Sequence, residues 1–402
     1  MERREHTYGY EDAAGVTPPP WTGPAVGLMD LDAFFASVGG DAESRGVVST
    51  CSYEARRFGV HSAMASAEAR RLCPQAIWTR GHFDRYREVS AQVMAILADE
   101  TPRVERVSID EAFIDITPGR FAPEDPLLVA RRISDRVAAL GVTCSIGVGC
   151  NKTVAKIASE RDKPFGLTIV RPGTEQRFLA ALPVSAMSGI GRSAEERLRR
   201  MRIYTLGELS RAPESTLASI FGVNGERMRQ RALGLEISEV TSLDEEREVK
   251  SVSNERTFAK DLTERGNIEA AIALLGESVG RRLRRQGLTG ATVTLKLKYS
   301  YGSGRTAQRR LPHPTDDENI FVAVALELLD NIWQEGMHVR LAGIGMSDFD
   351  HQGGIQTDLF CEIDDRGAQY SDRRDLSVAI DAVRDKFGDT ALSFGRQSRF
   401  ND

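Results

Sequence analysis

Two short segments place carboxylates where they could meet. Asp30-Leu31-Asp32-Ala33-Phe34-Phe35 follows an apolar run, and Ser108-Ile109-Asp110-Glu111-Ala112 lies in the middle of a stretch that reads as a hairpin. A strand end and a tight turn can both aim side chains at one point. Carboxylates gathered there repel one another unless a cation lies between them. Mg²⁺ takes oxygen ligands and leaves room for substrate phosphates. Two such ions, roughly 3.5–4 Å apart, activate a hydroxyl and stabilise a leaving pyrophosphate. The chemistry that suits these residues is therefore hard-cation phosphoryl transfer. Any single aspartate is more often a turn former or helix cap, so the assignment depends on the surrounding motifs.

The elements that must position the acids are legible around them. Val26-Gly27-Leu28-Met29 reads as a short strand running into Asp30. Val104 to Ile116 reads as a β-hairpin turning at Ser108 to Glu111, with Val104, Val107, Phe113, Ile114 and Ile116 as strand material. Helical spacing recurs over 84–100, 127–139 and 152–161, and 142–149 reads as a strand. Residues 175–235 are a string of short helices broken by glycines. The charged stretch Asp244-Glu245-Glu246-Arg247-Glu248 reads as a linker. From Lys250 the pattern becomes strand, helix, strand, helix, strand, with helices at about 268–286 and 318–334 and strands at 292–299 and 339–346. The tail from His351 is rich in Asp and lacks a continuous core pattern before 375–388. Residues 1–24 read as a flexible leader, because the run Pro18-Pro19-Pro20 cannot be helical.

The 402 residues imply two to four domains at roughly 100–200 residues each. Hydrophobic residues are 41% and charged residues 28%, ordinary for a globular protein. No apolar run approaches the roughly 20 residues that span a bilayer. The first residues lack the apolar stretch of a secretory signal, so a cytoplasmic protein is expected. Cys51, Cys73, Cys144, Cys150 and Cys361 form no C-x-x-C pair, which argues against a zinc site and for isolated thiols. The net charge of -5 cautions against nucleic-acid binding. What a phosphate backbone meets, however, is the local placement of Lys and Arg.

Four motifs occur in order: Asp30-Leu31-Asp32-Ala33-Phe34-Phe35-Ala36-Ser37-Val38, Ser52-Tyr53-Glu54-Ala55-Arg56-Arg57-Phe58-Gly59, Ser108-Ile109-Asp110-Glu111-Ala112-Phe113, and KTVAKIASERDKPFG from Lys152 to Gly166. The set resembles the Y-family DNA polymerases, in the bacterial DNA polymerase IV branch, from about Ala25 to Met346. The resemblance implies a multidomain α+β fold: a ferredoxin-like palm (25–33 and 81–170), small fingers (34–80), a helical helix-hairpin-helix thumb (171–240), a linker (241–249) and an α+β little finger (250–350). Residues 351–402 would be a tail. It further implies low-fidelity, lesion-bypassing synthesis on primer-template DNA from dNTPs.

Carried over by position, the resemblance implies that Asp30, Asp110, Glu111 and the Leu31 carbonyl bind two Mg²⁺ ions, with Mn²⁺ as a substitute. Phe35 would be the steric gate whose ring blocks a ribose 2′-hydroxyl. Thr50, Tyr53, Arg56 and Lys163 would hold the triphosphate, since Arg and Lys neutralise charge on transferring phosphates. Asp32 and Asp115 read as structural acids. Ser188-Gly189-Ile190-Gly191 before a basic helix looks like a helix-hairpin-helix, in which Gly189 and Gly191 let backbone N–H groups approach a phosphate. Arg281 to Arg285, Lys296, Lys298, Arg309 and Arg310 supply positive charge for a DNA groove, Lys296 and Lys298 alternating on one strand face. Gln356-Thr357-Asp358-Leu359-Phe360 resembles the bacterial sliding-clamp-binding peptide, a polar anchor at Gln356 with Leu359 and Phe360 as an apolar plug. A monomer is expected.

Two departures from the family pattern stand out. Val38 runs straight into Gly39-Gly40-Asp41, where family members carry roughly a dozen or more further residues that complete a helix and add a strand. A short connection there bears on Phe35 and on nucleotide grip. Tyr301-Gly302-Ser303-Gly304 stands where the family commonly has an Asp-Phe pair. A rival class is a non-catalytic, clamp-tethered DNA-binding accessory protein on the same fold. Such a relative would be expected to lose its metal-binding acids, and all three are kept. A nucleotide cyclase on a similar palm would leave the little finger and clamp peptide unexplained.

Overall fold

The computed structural model describes residues 3–8, 20–35, 46–79, 81–119, 123–243, 245, 248–300, 302–349, 366–388 and 391–392, with side chains of the last helix described from Leu376 onward. The chain divides into two compact units, Met1–Glu246 and Arg247–Asp402. The division falls inside the stretch read as a linker.

The first unit begins with β1 (Arg4–Tyr8), β2 (Val26–Leu31), α1 (Tyr53–Arg56), α2 (Ser66–Leu72), α3 (Phe83–Glu100), β3 (Val104–Arg106), β4 (Glu111–Asp115), α4 (Pro126–Ala139), β5 (Cys144–Gly149), α5 (Lys152–Arg161) and β6 (Gly166–Val170). Among the described residues its sheet has six strands in the order β1-β6-β5-β2-β4-β3. β2 lies antiparallel to both β4 and β5, while β1 and β5 run parallel to β6. The twofold alternation of a strand sorts the two faces. Met29 and Leu31 join Val93, Leu97, Ile133 and Val137 of α3 and α4 in one core, whereas Val26, Leu28 and Phe113 pack with Ala155 of α5. Asp30 shares the α5 side with Leu28. Helix α5 approaches closely because Gly147 stands beneath it: a Cβ there would lie 2.1 Å from the Ser159 nitrogen and 2.2 Å from the Ala155 oxygen. Asn151 caps α5, accepting from the Val154 N–H at 3.0 Å and donating to the Gly234 carbonyl at 2.8 Å.

That last bond ties α5 to the short helices that follow: α6 (Glu175–Ala180), α7 (Arg192–Arg200), α8 (Leu206–Arg211), α9 (Glu214–Phe221) and α10 (Gly225–Leu233). Leu179, Leu198, Leu206, Leu209 and Leu217 share a core with Val154, Ile157 and Ala158 of α5.

The second unit comprises β7 (Ser251–Leu262), α11 (Arg265–Gln286), β8 (Gly290–Tyr299), β9 (Gly304–Thr315), α12 (Glu318–Ile332), β10 (Val339–Phe349) and α13 (Arg366–Phe387). Its antiparallel sheet runs β7-β10-β8-β9. Val293, Leu295, Leu297, Ile344 and Met346 face α11 and α12, where Ile272, Leu275, Val279, Phe321 and Leu329 complete a core.

Two expectations need correction. The presumed leader contains β1, held to β6 by backbone pairing and flanked by an Arg131–Glu5 contact at 3.0 Å. Trp21, nearer its end, is buried, with its indole N–H donating to the Pro24 carbonyl at 3.1 Å. A five-residue edge strand whose partner lies about 160 residues onward gives no local periodic signal. The second unit also has a strand, β9, that the three-strand pattern omitted. Its sequence, GRTAQRRLPHPT, is mostly polar and carries two prolines, as tolerated only on a sheet edge.

Candidate active site

The acids sit on neighbouring strands for a reason visible in the register. Asp30 and Glu111 are directly opposed across β2 and β4, and the Leu31 N–H donates to the Asp110 carbonyl at 2.9 Å, closing the hairpin turn against the end of β2. Like charges opposed across a strand pair destabilise it. Two lysines offset the charge. Lys163 Nζ lies 2.7 Å from Asp30 Oδ2 and also 2.7 Å from Glu160, while Lys156, on the face of α5 toward the sheet, pairs with Glu111. Asp110 accepts a short hydrogen bond from the Ser108 hydroxyl. Burial pushes the Asp30 carboxyl up to about 6; Lys163 pulls the other way and Glu160 and Glu111 add to the rise. Burial alone would lower the Lys163 ammonium, but Asp30 and Glu160 hold it above the ordinary lysine range. The site is thus short of positive charge.

Among the described residues no three such side chains converge closely enough, in their present rotamers, to hold a metal ion. The donor set nevertheless suits a hard cation: oxygen ligands on adjoining strand ends, with a carboxyl that burial disfavours as an anion.

Asp32 lies outside this pair. Its Oδ1 accepts from the Ser145 hydroxyl at 2.7 Å and the Tyr53 hydroxyl at 3.3 Å, and its Oδ2 from the Phe165 N–H at 2.8 Å. Asp115 only caps the turn at Thr117, accepting from its N–H at 3.0 Å. The Tyr53 ring carries the Arg56 guanidinium 4.6 Å from its centroid. Burial first, then the Asp32 carboxylate, push the Tyr53 hydroxyl up to about 12, so it remains a donor at neutral pH. Tyr53 is thus joined to Asp32 and Lys163 to Asp30, with Arg56 stacked on the Tyr53 ring, while Thr50 is buried shortly before α1. Phe35 packs edge-on to Tyr86 at 5.0 Å and to Phe34 at 5.2 Å, with Phe83 at 6.2 Å. The residues around the Val38–Gly39 connection lie outside the described residues. Asp32 was read from sequence as a structural acid without its partners, and Lys156 was not singled out; Lys156 stands four residues after Lys152 in the fourth motif, a spacing that repeats on one helix face.

Gly189 takes φ +95°, and Gly191 is the N-cap of α7, so the loop expected of a helix-hairpin-helix leads into a helix N-terminus. In the second unit, Lys296 and Lys298 point away from α11 and α12, and Lys296 contacts Glu255 at 2.8 Å. With Ser251, Ser253, Thr294 and Gln308 this pair lines a hollow of about 260 Å³ on the open sheet face. Arg310 shares that face, opposite Thr292. Arg309 does not. It pairs across the ladder with buried Val293 and its guanidinium meets Glu327 of α12. Adjacent strand residues face opposite ways, so of the two arginines expected to supply charge for DNA only Arg310 lies on the face of Lys296. The α11 arginines are also not on the open sheet face. Arg284 contacts Glu318 at 2.5 Å and Asp381 at 2.7 Å, and Arg281 contacts Asp385 at 2.5 Å. Gln356, Leu359 and Phe360 lie outside the described residues.

Residues 29–160 match the impB/mucB/samB family and residues 249–359 match the C-terminal domain of that family. The chain is 38% identical over 345 residues to a DNA polymerase IV of Lactococcus lactis subsp. cremoris (strain MG1363), covering 80% of this chain and 93% of that relative. It is 36% identical over 391 residues to DNA polymerase IV of Dehalococcoides mccartyi (strain CBDB1), covering 93% and 97%. Against DNA polymerase IV of Streptomyces coelicolor the identity is 39% over 359 residues, covering 85% and 74%. The fold is similar to a solved Y-family DNA polymerase chimera, Dbh-Dpo4(243-245)-Dbh, with a TM-score of 0.71 at 23% identity over 81% of this chain and 98% of that one. A post-insertion binary complex of Dbh DNA polymerase is similar with a TM-score of 0.55 at 22% identity, over 81% and 98%. Together these place the chain in the impB/mucB/samB family, as a Y-family polymerase of the DNA polymerase IV branch.

Proposed function

We infer that this chain is a DNA-directed DNA polymerase of the low-fidelity, translesion class, adding dNTPs to a primer 3′-hydroxyl on a DNA template. The observation that carries the reading is the opposed Asp30 and Glu111 beside Asp110, a carboxylate set that its lysines only partly neutralise. In this reading Asp30, Asp110, Glu111 and the Leu31 carbonyl hold two Mg²⁺ ions. When bound, such ions lower the barrier to attack by the primer hydroxyl and neutralise the leaving pyrophosphate. The chain's own side chains do the rest. Lys163, anchored beside Asp30, and Arg56, stacked on the Tyr53 ring, hold the triphosphate in this reading. Thr50 completes the grip from the buried wall. Within the domains, residues 25–33 and 81–170 act as palm, 34–80 as fingers, 171–240 as thumb and 250–350 as little finger. The loop at Gly189 and Gly191 and the open face bearing Lys296, Lys298 and Arg310 track DNA. The enzyme works in the cytoplasm as a monomer; among the described residues no helix is long and apolar enough to cross a membrane. A primer-extension assay with Mg²⁺ and dNTPs tests the activity. Failure to extend with primer-template binding intact would favour the non-catalytic accessory reading.

Phe35 serves as the steric gate. Phe35→Ala is expected to lower the preference for dNTP over NTP, measured as the ratio of kcat/KM values, by about 10²-fold. A ratio equal to wild type removes Phe35 from that role. Because the ratio is internal to one variant, loss of packing on Phe34 and Tyr86 does not disturb it.

Gln356, Leu359 and Phe360 bind a sliding clamp. Truncation before Gln356 would also remove α13, whose carboxylates hold Arg281 and Arg284, so paired Leu359→Ala and Phe360→Ala substitutions are the cleaner test. They should leave distributive synthesis unchanged and abolish stimulation by the clamp. Equal stimulation sinks the assignment.

A further inference from the structure

Asp32 has no place in the metal set or the triphosphate grip as described, yet it is the most heavily bonded acid near them. Its carboxylate accepts three hydrogen bonds, and the donors come from three separate segments: Tyr53 on α1, Ser145 on β5 and the backbone of Phe165 beyond α5. A carboxylate offers about four acceptor positions, so it can hold all three at once.

Phe165 is two residues from Lys163. It takes φ +55°, a left-handed conformation that a bulky side chain adopts only when its surroundings impose it. Three contacts do so. Asp32 takes its N–H, the Arg4 N–H donates to its carbonyl at 3.1 Å, and the Arg3 guanidinium lies 5.1 Å from its ring. The next N–H, of Gly166, donates to the Ser145 hydroxyl at 3.2 Å, and that hydroxyl donates to Asp32. Asp32 and Ser145 therefore fix the path of the chain immediately after Lys163. The same carboxylate oxygen that receives Ser145 also receives the hydroxyl of Tyr53, whose ring bears Arg56.

We propose that Asp32 is a positioning residue for the incoming triphosphate, joining the Tyr53–Arg56 unit to the Lys163–Phe165 segment so that both sides of the grip are set before nucleotide arrives. The proposal rests on Tyr53, Arg56 and Lys163 being the triphosphate contacts. Asp32 itself touches no phosphate in this scheme; as an anion its direct contact would be repulsive. The Tyr53 hydroxyl contact, at 3.3 Å, is long enough to be exchanged for a phosphate oxygen while Ser145 and Phe165 keep Asp32 satisfied.

The test is steady-state single-nucleotide incorporation by the full chain, with Asp32→Ala, Asp32→Asn, Tyr53→Phe and the Asp32→Ala/Tyr53→Phe double variant. Asp32→Ala should raise the dNTP KM about ten- to hundredfold, with a smaller change in kcat. Primer-template affinity and the Mg²⁺ concentration for half-maximal rate should stay at wild type. Asp32→Asn, which keeps one acceptor, should lie between. In the Tyr53→Phe background the Asp32→Ala effect should shrink, because part of it acts through that hydroxyl. If Tyr53→Phe leaves KM unchanged, the assignment of the grip fails. If Tyr53→Phe raises KM and Asp32→Ala does not, the positioning role fails. A shifted Mg²⁺ requirement with unchanged KM would mean Asp32 acts through Asp30, and also overturns it. Should Asp32→Ala fail to fold, Ser145→Ala removes one donor and leaves the carboxylate; a severalfold rise in KM is then expected, and a wild-type KM overturns the proposal.

Discussion

Asp110→Ala should reduce primer extension by about 10³-fold or more while leaving primer-template affinity near wild type. The size follows from removing one ligand of a site that supplies several kcal/mol of charge stabilisation to the transition state. The selectivity follows from local structure. The bond that seats the hairpin turn on β2 runs from the Leu31 N–H to the Asp110 carbonyl, a backbone group that Ala retains. The side chain contributes the bond it accepts from the Ser108 hydroxyl, while the Asp110 N–H that donates back to that hydroxyl is also backbone. Asp115→Ala is the matched control, since that acid only caps the turn at Thr117, and extension should stay close to wild type. Single-turnover incorporation beside a DNA-binding titration distinguishes the two. Wild-type extension by Asp110→Ala would remove that residue from the metal site.

A second large effect is expected in stability. Arg284, at 6% side-chain exposure, lies between Glu318 and Asp381, themselves 11% and 12% exposed. Arg284→Ala strands two buried acids, and breaking a buried pair in this way costs about 3–5 kcal/mol. Urea unfolding should show that loss in the transition of Arg247–Asp402. Replacing all three together, Arg284→Met with Glu318→Gln and Asp381→Asn, should recover most of it because no unpaired charge remains. A loss below about 1 kcal/mol in the single variant would mean that α13 does not rest on α11 in solution.

Around the acids, the sequence and structure agree element by element. The turn of the hairpin, the strand into Asp30 and helix α5 all carry local signals: alternation, a capping Asn151 and helical spacing. What could not be read was set by distant partners. Nothing in the sequence around Lys156 names Glu111 as its partner across 45 residues, and Asp32 shows its three donors only once β5, α1 and the end of α5 are assembled. Arg309 and Arg310 illustrate a different limit. Their sequence looks like one basic patch, but a strand must divide neighbours between its faces, and only Arg310 shares the face of Lys296. The arginines of α11 show a related limit: acids that pair with Arg281 and Arg284 lie about 100 residues later, in α13.

Strand β1 has a consequence for how the chain is made. It is synthesised about 160 residues before its partner β6, which begins at Gly166. At about 5–20 residues per second, the wait is on the order of ten to thirty seconds. During that interval the rest of the sheet can form without it, leaving β6 as a bare edge once it emerges. Docking of β1 is then the step that covers the edge and protects it from pairing with another nascent chain.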